Sequence, residues 1–307
     1  MKKNIGNLLF ITLLIVLSYE VIKESTIVIS SVRLSIRIWQ NNIFPSLFPF
    51  FIISNILISL HLPEMLGSIF QNLMYKLFKI NSNTAFILFL SIISGFPSSA
   101  KYTKELLDNN LIDNDDATKI LTFTHFSNPL FVIGILGNVI NKNIIIKVLI
   151  SHYLGNIIIG ILLRNYKSKE KNKSNSKIEP TKNIGTIITN SISSAINSLL
   201  LILGTITTFL IITSLVNSIF NITGITKVLI NGIFEITQGL NSLKYINISN
   251  NIKGLLSVFI LSFGGLSVHM QIITIISETK IKYLPYFLSR LLHSILSMFI
   301  YTFLIFG

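Results

Sequence analysis

The chain has 307 residues, 50% of them hydrophobic and 12% charged, against about 25% charged in ordinary soluble domains, and with a mean hydropathy of +0.69 this excludes a soluble globular protein. The net charge of +13 is not a nucleic-acid footprint: seven of the 25 basic residues (Arg164, Lys167, Lys169, Lys171, Lys173, Lys177, Lys182) share one short polar stretch, as the positive-inside bias expects of a cytoplasmic loop, and no recognition motif accompanies them. There is no cysteine, which excludes disulfides and thiolate chemistry.

The long Ile/Leu/Phe runs do not alternate as barrel strands would. The expectation is an all-α, polytopic integral membrane protein. Lys2 and Lys3 precede an apolar run over 5–17. No small-x-small cleavage site follows, so residues 1–24 read as an uncleaved transmembrane helix with a cytoplasmic N-terminus. Residues 26–42 are amphipathic: Arg33 and Arg37 share a face and Trp39 lies near the end. That pattern predicts an interfacial helix with an aromatic at headgroup level.

A membrane helix is expected over 42–60, with Pro45 and Pro49 in its first half. It is read as a kinked helix or as a kink that lines a cavity. Residues 65–80 are again amphipathic. The run 84–93 is too short to span at about 1.5 Å per residue. It stops at Gly95-Phe96-Pro97, which predicts a half-helix or re-entrant segment. Asp108, Asp113, Asp115 and Asp116 are all the aspartates of the chain; together they predict a solvated hinge. Asp113 should cap a helix restarting near Asn114.

Two further membrane segments are expected over 126–140 and 144–163. The basic linker over 164–183, with Pro180, is placed in the cytoplasm. An amphipathic stretch over 184–196 and a span over 198–220 follow. Residues 224–243 carry a polar break, GIFEITQGLNSL. A short apolar run over 255–263 is interrupted by Gly264-Gly265, and the last span covers about 284–306.

The two halves look alike. Sliding the chain by 169 residues (264 − 95) places Gly95 on Gly264 and Ser98 on Ser267. In both places a short apolar run meets a glycine break, then Ser, then a more polar helix. This predicts two related halves with broken or re-entrant helices, 25–163 and 184–307. Secondary transporters built from such repeats bind at the repeat interface.

No nucleotide-loop, dinucleotide, nucleophile-elbow or zincin motif is present. No catalytic residue, cofactor or metal ligand is expected, and the chain is not read as an enzyme. His61, His125, His152, His269 and His293 show no metal-ligand spacing. Glu235 is the most informative acid. Gly232, Glu235 and Gly239 would share one helical face at spacings of three and four, small enough for a second backbone to approach. Its carboxylate reads either as a cation, proton or substrate site or as an interfacial group near a helix end. Lys101 reads as a site cation or a snorkelling anchor. The candidate substrate-binding set is Gly95, Ser98, Ser99, Ser127, Asn128, Glu235, Gly264, Gly265 and Gln271. Exposed amides at a half-helix N-terminus would favour an anionic or carbonyl group there.

In order along the chain, FPSLFPFFI (44–52), SGFPSSAK (94–101), FTHFSNPLF (123–131), E-x-T-x-G (235–239) and SFGGLSVHMQ (262–271) resemble one family. It is the YlbJ-type sporulation integral membrane proteins, of the wider group carrying the nucleoside-recognition or Gate domain. That group includes spore maturation proteins A and B and the membrane part of the ferrous-iron transporter B. It is related to concentrative nucleoside transporters. The resemblance covers roughly residues 25–305. It implies a spore-forming bacterium, a sporulation membrane, a role in endospore cortex formation, and transport of a small polar solute. The partners expected are the lipid bilayer, that solute and a coupling cation or proton, with no nucleic acid. A non-transporting scaffold for spore-envelope assembly is the competing reading. Substrate, coupling, repeat orientation and oligomeric state stay open.

Overall fold

A computed structural model describes residues 2–167 and 183–307. Most of the expected basic linker, 168–182, lies outside them. Every regular element described is helical. Six stretches are long and apolar enough to cross a bilayer. They are α1 (Lys2–Lys23), the continuous pair α2 (Ser25–Ile38) and α3 (Phe44–Ser59), α9 (Lys142–Leu162), α10 (Ile184–Ile219), the broken pair α13 (Asn250–Phe263) and α14 (Gly265–Ile276), and α15 (Tyr283–Phe306). On α1, Leu8, Ile11, Leu13 and Ile15 stand exposed, as bilayer-facing side chains do.

Residues 26–42 do not form an interfacial helix. They run through a wide π turn at Trp39–Ile43 straight into α3. The polar face that suggests an interfacial position is spent on α10: Ser31 donates to Ser214 at 3.0 Å, Ser35 bonds Thr207 at 2.7 Å, and Trp39 donates to the Leu199 carbonyl at 2.8 Å. Trp39 therefore sits beside the middle of α10, not at a headgroup. The stretches 184–196 and 198–220 likewise form one helix of 36 residues, about 54 Å long. α2–α3 and α10 run antiparallel and share an apolar seam of Ile38, Leu47, Phe51, Leu199 and Ile206.

The remaining helices pack around a second, larger core. α4 (Leu62–Phe78) buries Pro63, Gly67, Met74 and Phe78 and exposes Met65 and Ile69. α5 (Thr84–Ser94) and α6 (Ser98–Asp108) form a hairpin. The Phe86 and Tyr102 rings lie 6.0 Å apart, whereas sixteen residues of straight helix would separate them by about 24 Å. α7 (Asn114–Leu121) starts where Asp113 accepts from the amides of Asp115 and Asp116 at 2.9 and 3.0 Å. The hinge is not wholly solvated, because Asp116 is buried and accepts from the Asn81 amide.

The segment expected over 126–140 begins irregularly. Thr122–Phe123 turn, the chain then runs without helix to Asn128, and only α8 (Pro129–Leu136) is helical. Asn128 caps α8 through the amides of Leu130 and Phe131, and Pro129 supplies the preset first residue.

α11 (Gly224–Phe234) and α12 (Ile236–Ser242) make the second hairpin. Gly232, Glu235 and Gly239 do not share a helical face. Glu235 is extended (φ −147, ψ 121) and breaks the helix. The two glycines face each other across the hairpin, where a Cβ on Gly239 would stand 2.4 Å from the Gly232 Cα. Small residues do admit a second backbone, and here it is the same chain turning back.

Hydrogen bonds sort the loops into two ends. At one, Lys119 donates to the carbonyls of Lys79 and Arg164, Asn83 to Leu111, and the Lys282 amide to Thr118. At the other, Lys147 donates to the Leu304 carbonyl and Tyr301 to that of Asn251. The α5–α6 hairpin dips from the first end and the α11–α12 hairpin from the second. The chain crosses from first to second end through α7–α8, and from second to first through α13–α14. Gly95 and Gly264 are thus different in kind: Gly95 begins a hairpin turn, and Gly264 interrupts a span.

Candidate functional site

Four interruptions meet inside the molecule: the Gly95–Pro97 turn, the 122–128 break, the Glu235 turn and the Gly264 break. Gly95 (φ +78) leaves no room for a side chain, since a Cβ would lie 2.4 Å from the Asn128 amide nitrogen. Gly264 (φ +95) presses on the His125 ring, and a Cβ added to it would stand 2.7 Å from that ring. Both therefore need glycine for conformation and for closeness. The Phe96 ring stacks on His125 at 4.5 Å, and the Phe96–Pro97 peptide is cis.

Breaking a span frees backbone groups that hydrocarbon cannot satisfy. Side chains of α9 and α15 do so here. Arg290 donates to the Thr122 carbonyl, Asn156 to that of His125 at 2.6 Å, and Tyr153 to that of Ser127 at 2.7 Å. The Phe96 amide donates to the Phe126 carbonyl at 2.8 Å, and the Ser127 amide to His152 Nε2 at 3.0 Å. His152 therefore carries its proton on Nδ1, which faces Ser262 Oγ at 3.0 Å. At the second break His269 Nε2 meets the Phe263 carbonyl at 3.0 Å and His293 Nδ1 meets that of Ser262 at 3.2 Å, while His293 Nε2 faces the His152 carbonyl of α9 at 2.8 Å. Arg290 is fully buried and is paired with no carboxylate among the described residues. It bonds Asn156 at 3.1 Å and His293 at 2.8 Å, and its guanidinium lies 5.3 Å from the Tyr286 ring centre.

Beside this junction a small cavity opens between the larger core and the α3–α10 pair. The core side is polar: Asn128, Glu235, Thr237, Ser267 and Gln271. Opposite stand Ile43, Leu47, Ile202 and Ile206 together with the polar Asn42 and Ser46, and Phe96 and Phe131 close one side. Its volume is about 50 Å³, where one water needs roughly 10–15 Å³. The cavity has room for a few waters in this state, and a metabolite would require it to open.

Glu235 accepts from the Gln238 amide at 2.7 Å and from Thr237 Oγ1 at 3.1 Å. It caps α12 and is the one ionisable group among the described residues lining the cavity. Ser267 Oγ is buried without a hydrogen-bond partner. Two of the half-helix N-termini are met by the chain's own oxygens, α8 by Asn128 and α12 by Glu235, whereas α6 and α14 carry no side-chain cap.

Of the residues singled out in the sequence, Asn128, Glu235 and Gln271 line the cavity. Gly95, Gly264 and Gly265 shape the breaks behind it. Ser127 turns to His152. Ser98 and Ser99 lie buried at the start of α6, outside the cavity lining. Lys101 is buried with its ammonium 4.4 Å above the Phe51 ring centre, so it does not snorkel to water. Ser267 is not in the candidate set, although it stands one helical turn before Gln271, a spacing that puts both on one face. Ile202 and Ile206 carry no signal in the sequence. Nor does the gathering of His125, His152, His269 and His293 around Arg290, since the five histidines are scattered along the chain.

The chain is 28% identical, over 95% of its length, to the sporulation integral membrane protein YlbJ of Bacillus subtilis (strain 168), and it spans 81% of that protein. The resemblance drawn from the order of motifs is thereby shown: the chain is a homologue of that sporulation membrane protein. No protein-family model matches it. No solved structure matches it either.

Proposed function

Starting from homology to a sporulation membrane protein, we propose that this chain moves a small polar solute across a membrane during endospore formation, in support of the cortex. The observation that carries the reading is the cavity itself. It lies where two oppositely entering hairpins and two broken spans converge, on the seam between the two packing units, with its one carboxylate and most of its polar groups on the hairpin side. Such a seam permits alternating access by movement of one unit against the other.

The halves are 25–163 and 184–307. Each contributes a long helix, a hairpin, a broken span and a closing span, in opposite orientations. The correspondence we propose pairs hairpin with hairpin, Gly95–Pro97 with Glu235, and break with break, His125 with Gly264. This replaces the offset of 169 residues suggested by the glycines, and it agrees with the inverted repeats of transporters. Kinship to the Gate-domain group fits the same arrangement. The basic linker and the N-terminus are assigned to the cytoplasm by charge.

With one carboxylate and no cation in the lining, the solute is neutral and presents hydrogen-bond donors to Glu235, which is also the group for a coupling cation or proton. The test is complementation of a sporulating strain lacking its own YlbJ-type protein. Glu235→Gln should fail, while replacing residues 168–182 by a neutral Gly/Ser chain should succeed. The opposite pattern, a working Glu235→Gln and a failing linker exchange, would favour a scaffold for envelope assembly.

A further inference from the structure

A second cavity lies along the same seam, nearer the linker end. Its volume is about 230 Å³, and its lining includes Asn55, Ser59, Glu105, Asn109, Asn190 and Ser194. The same three elements line both cavities, about two helical turns apart. On the continuous α2–α3 helix, Ile43 and Leu47 face the central cavity, while Asn55 and Ser59 face the second. On α10, Ile202 and Ile206 face the first, while Asn190 and Ser194 face the second. On the first hairpin, Phe96 and Pro97 precede Glu105 and Asn109 in the same order.

The intervening turns are therefore what separates the two spaces. They carry Phe51 on α3, Ala195 and Leu199 on α10, and Lys101 on α6. Phe51 is 1% exposed, and Ala195 and Leu199 are fully buried. The Lys101 ammonium lies 4.4 Å from the Phe51 ring centre, 4.0 Å from Glu105, and makes no hydrogen bond. The buried ammonium is held by the ring face and the carboxylate. The Asn55 amide nitrogen, oriented to satisfy both partners, donates to the two Glu105 oxygens at 2.6 and 2.9 Å. Lys101, outside the lining, and Asn55 engage the carboxylate of Glu105, the one ionisable group lining the second cavity among the described residues.

We infer that the seam is the solute's path from the linker end. The second cavity is a peripheral binding site for a neutral, hydrogen-bonding solute, and Phe51, clamped beneath Lys101, is the barrier before the central cavity. What travels rests on the transport reading above; the path itself does not, and it is testable with no solute at all.

The natural absence of cysteine makes the test clean. Single variants Ser194→Cys, in the second cavity, and Ser267→Cys, in the central one, are labelled in sealed vesicles with a membrane-impermeant methanethiosulfonate from either side. Ser194→Cys should react from the linker side in every background. Ser267→Cys should react slowly alone, and about tenfold faster from the linker side once Phe51→Ala raises the open population by that factor. Phe51→Leu, which keeps the seam filled but removes the ring under the ammonium, is the second variant, and it should accelerate labelling in the same direction. The inference is overturned if Ser267→Cys reacts at one rate in all backgrounds, if acceleration appears only from the opposite side, or if Ser194→Cys is shielded. A path that opens in a protein that moves no solute would leave the inference standing and remove the transport reading instead.

Discussion

Arg290 brings a permanent charge into the interior and meets carbonyl, amide and imidazole groups there. Its fork reaches Thr122 and Asn156 at once, which a single ammonium cannot reproduce. We expect Arg290→Lys to lose stability almost as Arg290→Met does. Each leaves buried acceptors unmet at a cost of about 1–3 kcal/mol per group. Thermal unfolding in detergent measures this; a Lys variant as stable as the native protein would show that charge, and not the fork, is what the break requires. Such a role is hidden in the sequence, where Arg290 reads as one basic residue in a terminal span. Glu235 is legible as unusual because an acid between apolar neighbours must find a partner. That its partners are its own tip's amide and Thr237 depends on the backbone breaking there.

The half-helices are legible because glycine, proline and asparagine punctuate them at Gly95-Phe96-Pro97, Asn128-Pro129 and Gly264. Whether the chain reverses or continues at a break is not. Gly95 and Gly264 follow similar apolar runs, yet the first begins a reversal and the second interrupts a crossing. The difference lies in what packs across the break, Phe86 on Tyr102 in one case, and such pairs are long-range facts. The long helices depart from expectation for a related reason. Ser31 and Ser35 look water-facing because nothing in their own segment announces the polar stripe of α10. The second hairpin can be tested directly. Asn231 donates to Ser242 at 2.6 Å, so the double variant Asn231→Cys/Ser242→Cys should form an intramolecular disulfide under mild oxidation. Along a continuous helix these positions would stand about 16 Å apart, beyond the reach of a disulfide, so failure to cross-link in a folded protein would mean the helix does not turn back.

At the scale of the whole molecule, two packing units meet along a seam, one the α3–α10 pair and the other the hairpins with their broken spans. On the transport reading, the cavity on this seam binds a small polar solute through Glu235 and its neighbours. Its most direct test is the thermal stability of the purified protein across nucleosides, neutral amino acids, dipicolinate and divalent cations. A ligand that binds only the folded state at a hundred times its Kd adds about 2.7 kcal/mol. A neutral hydrogen-bonding member of the panel should raise the Tm of the native protein, the rise should vanish in Glu235→Gln, and the dipicolinate dianion should give none. Equal stabilisation of the native protein and Glu235→Gln, or a response to dipicolinate alone, would mean that the solute does not bind through Glu235.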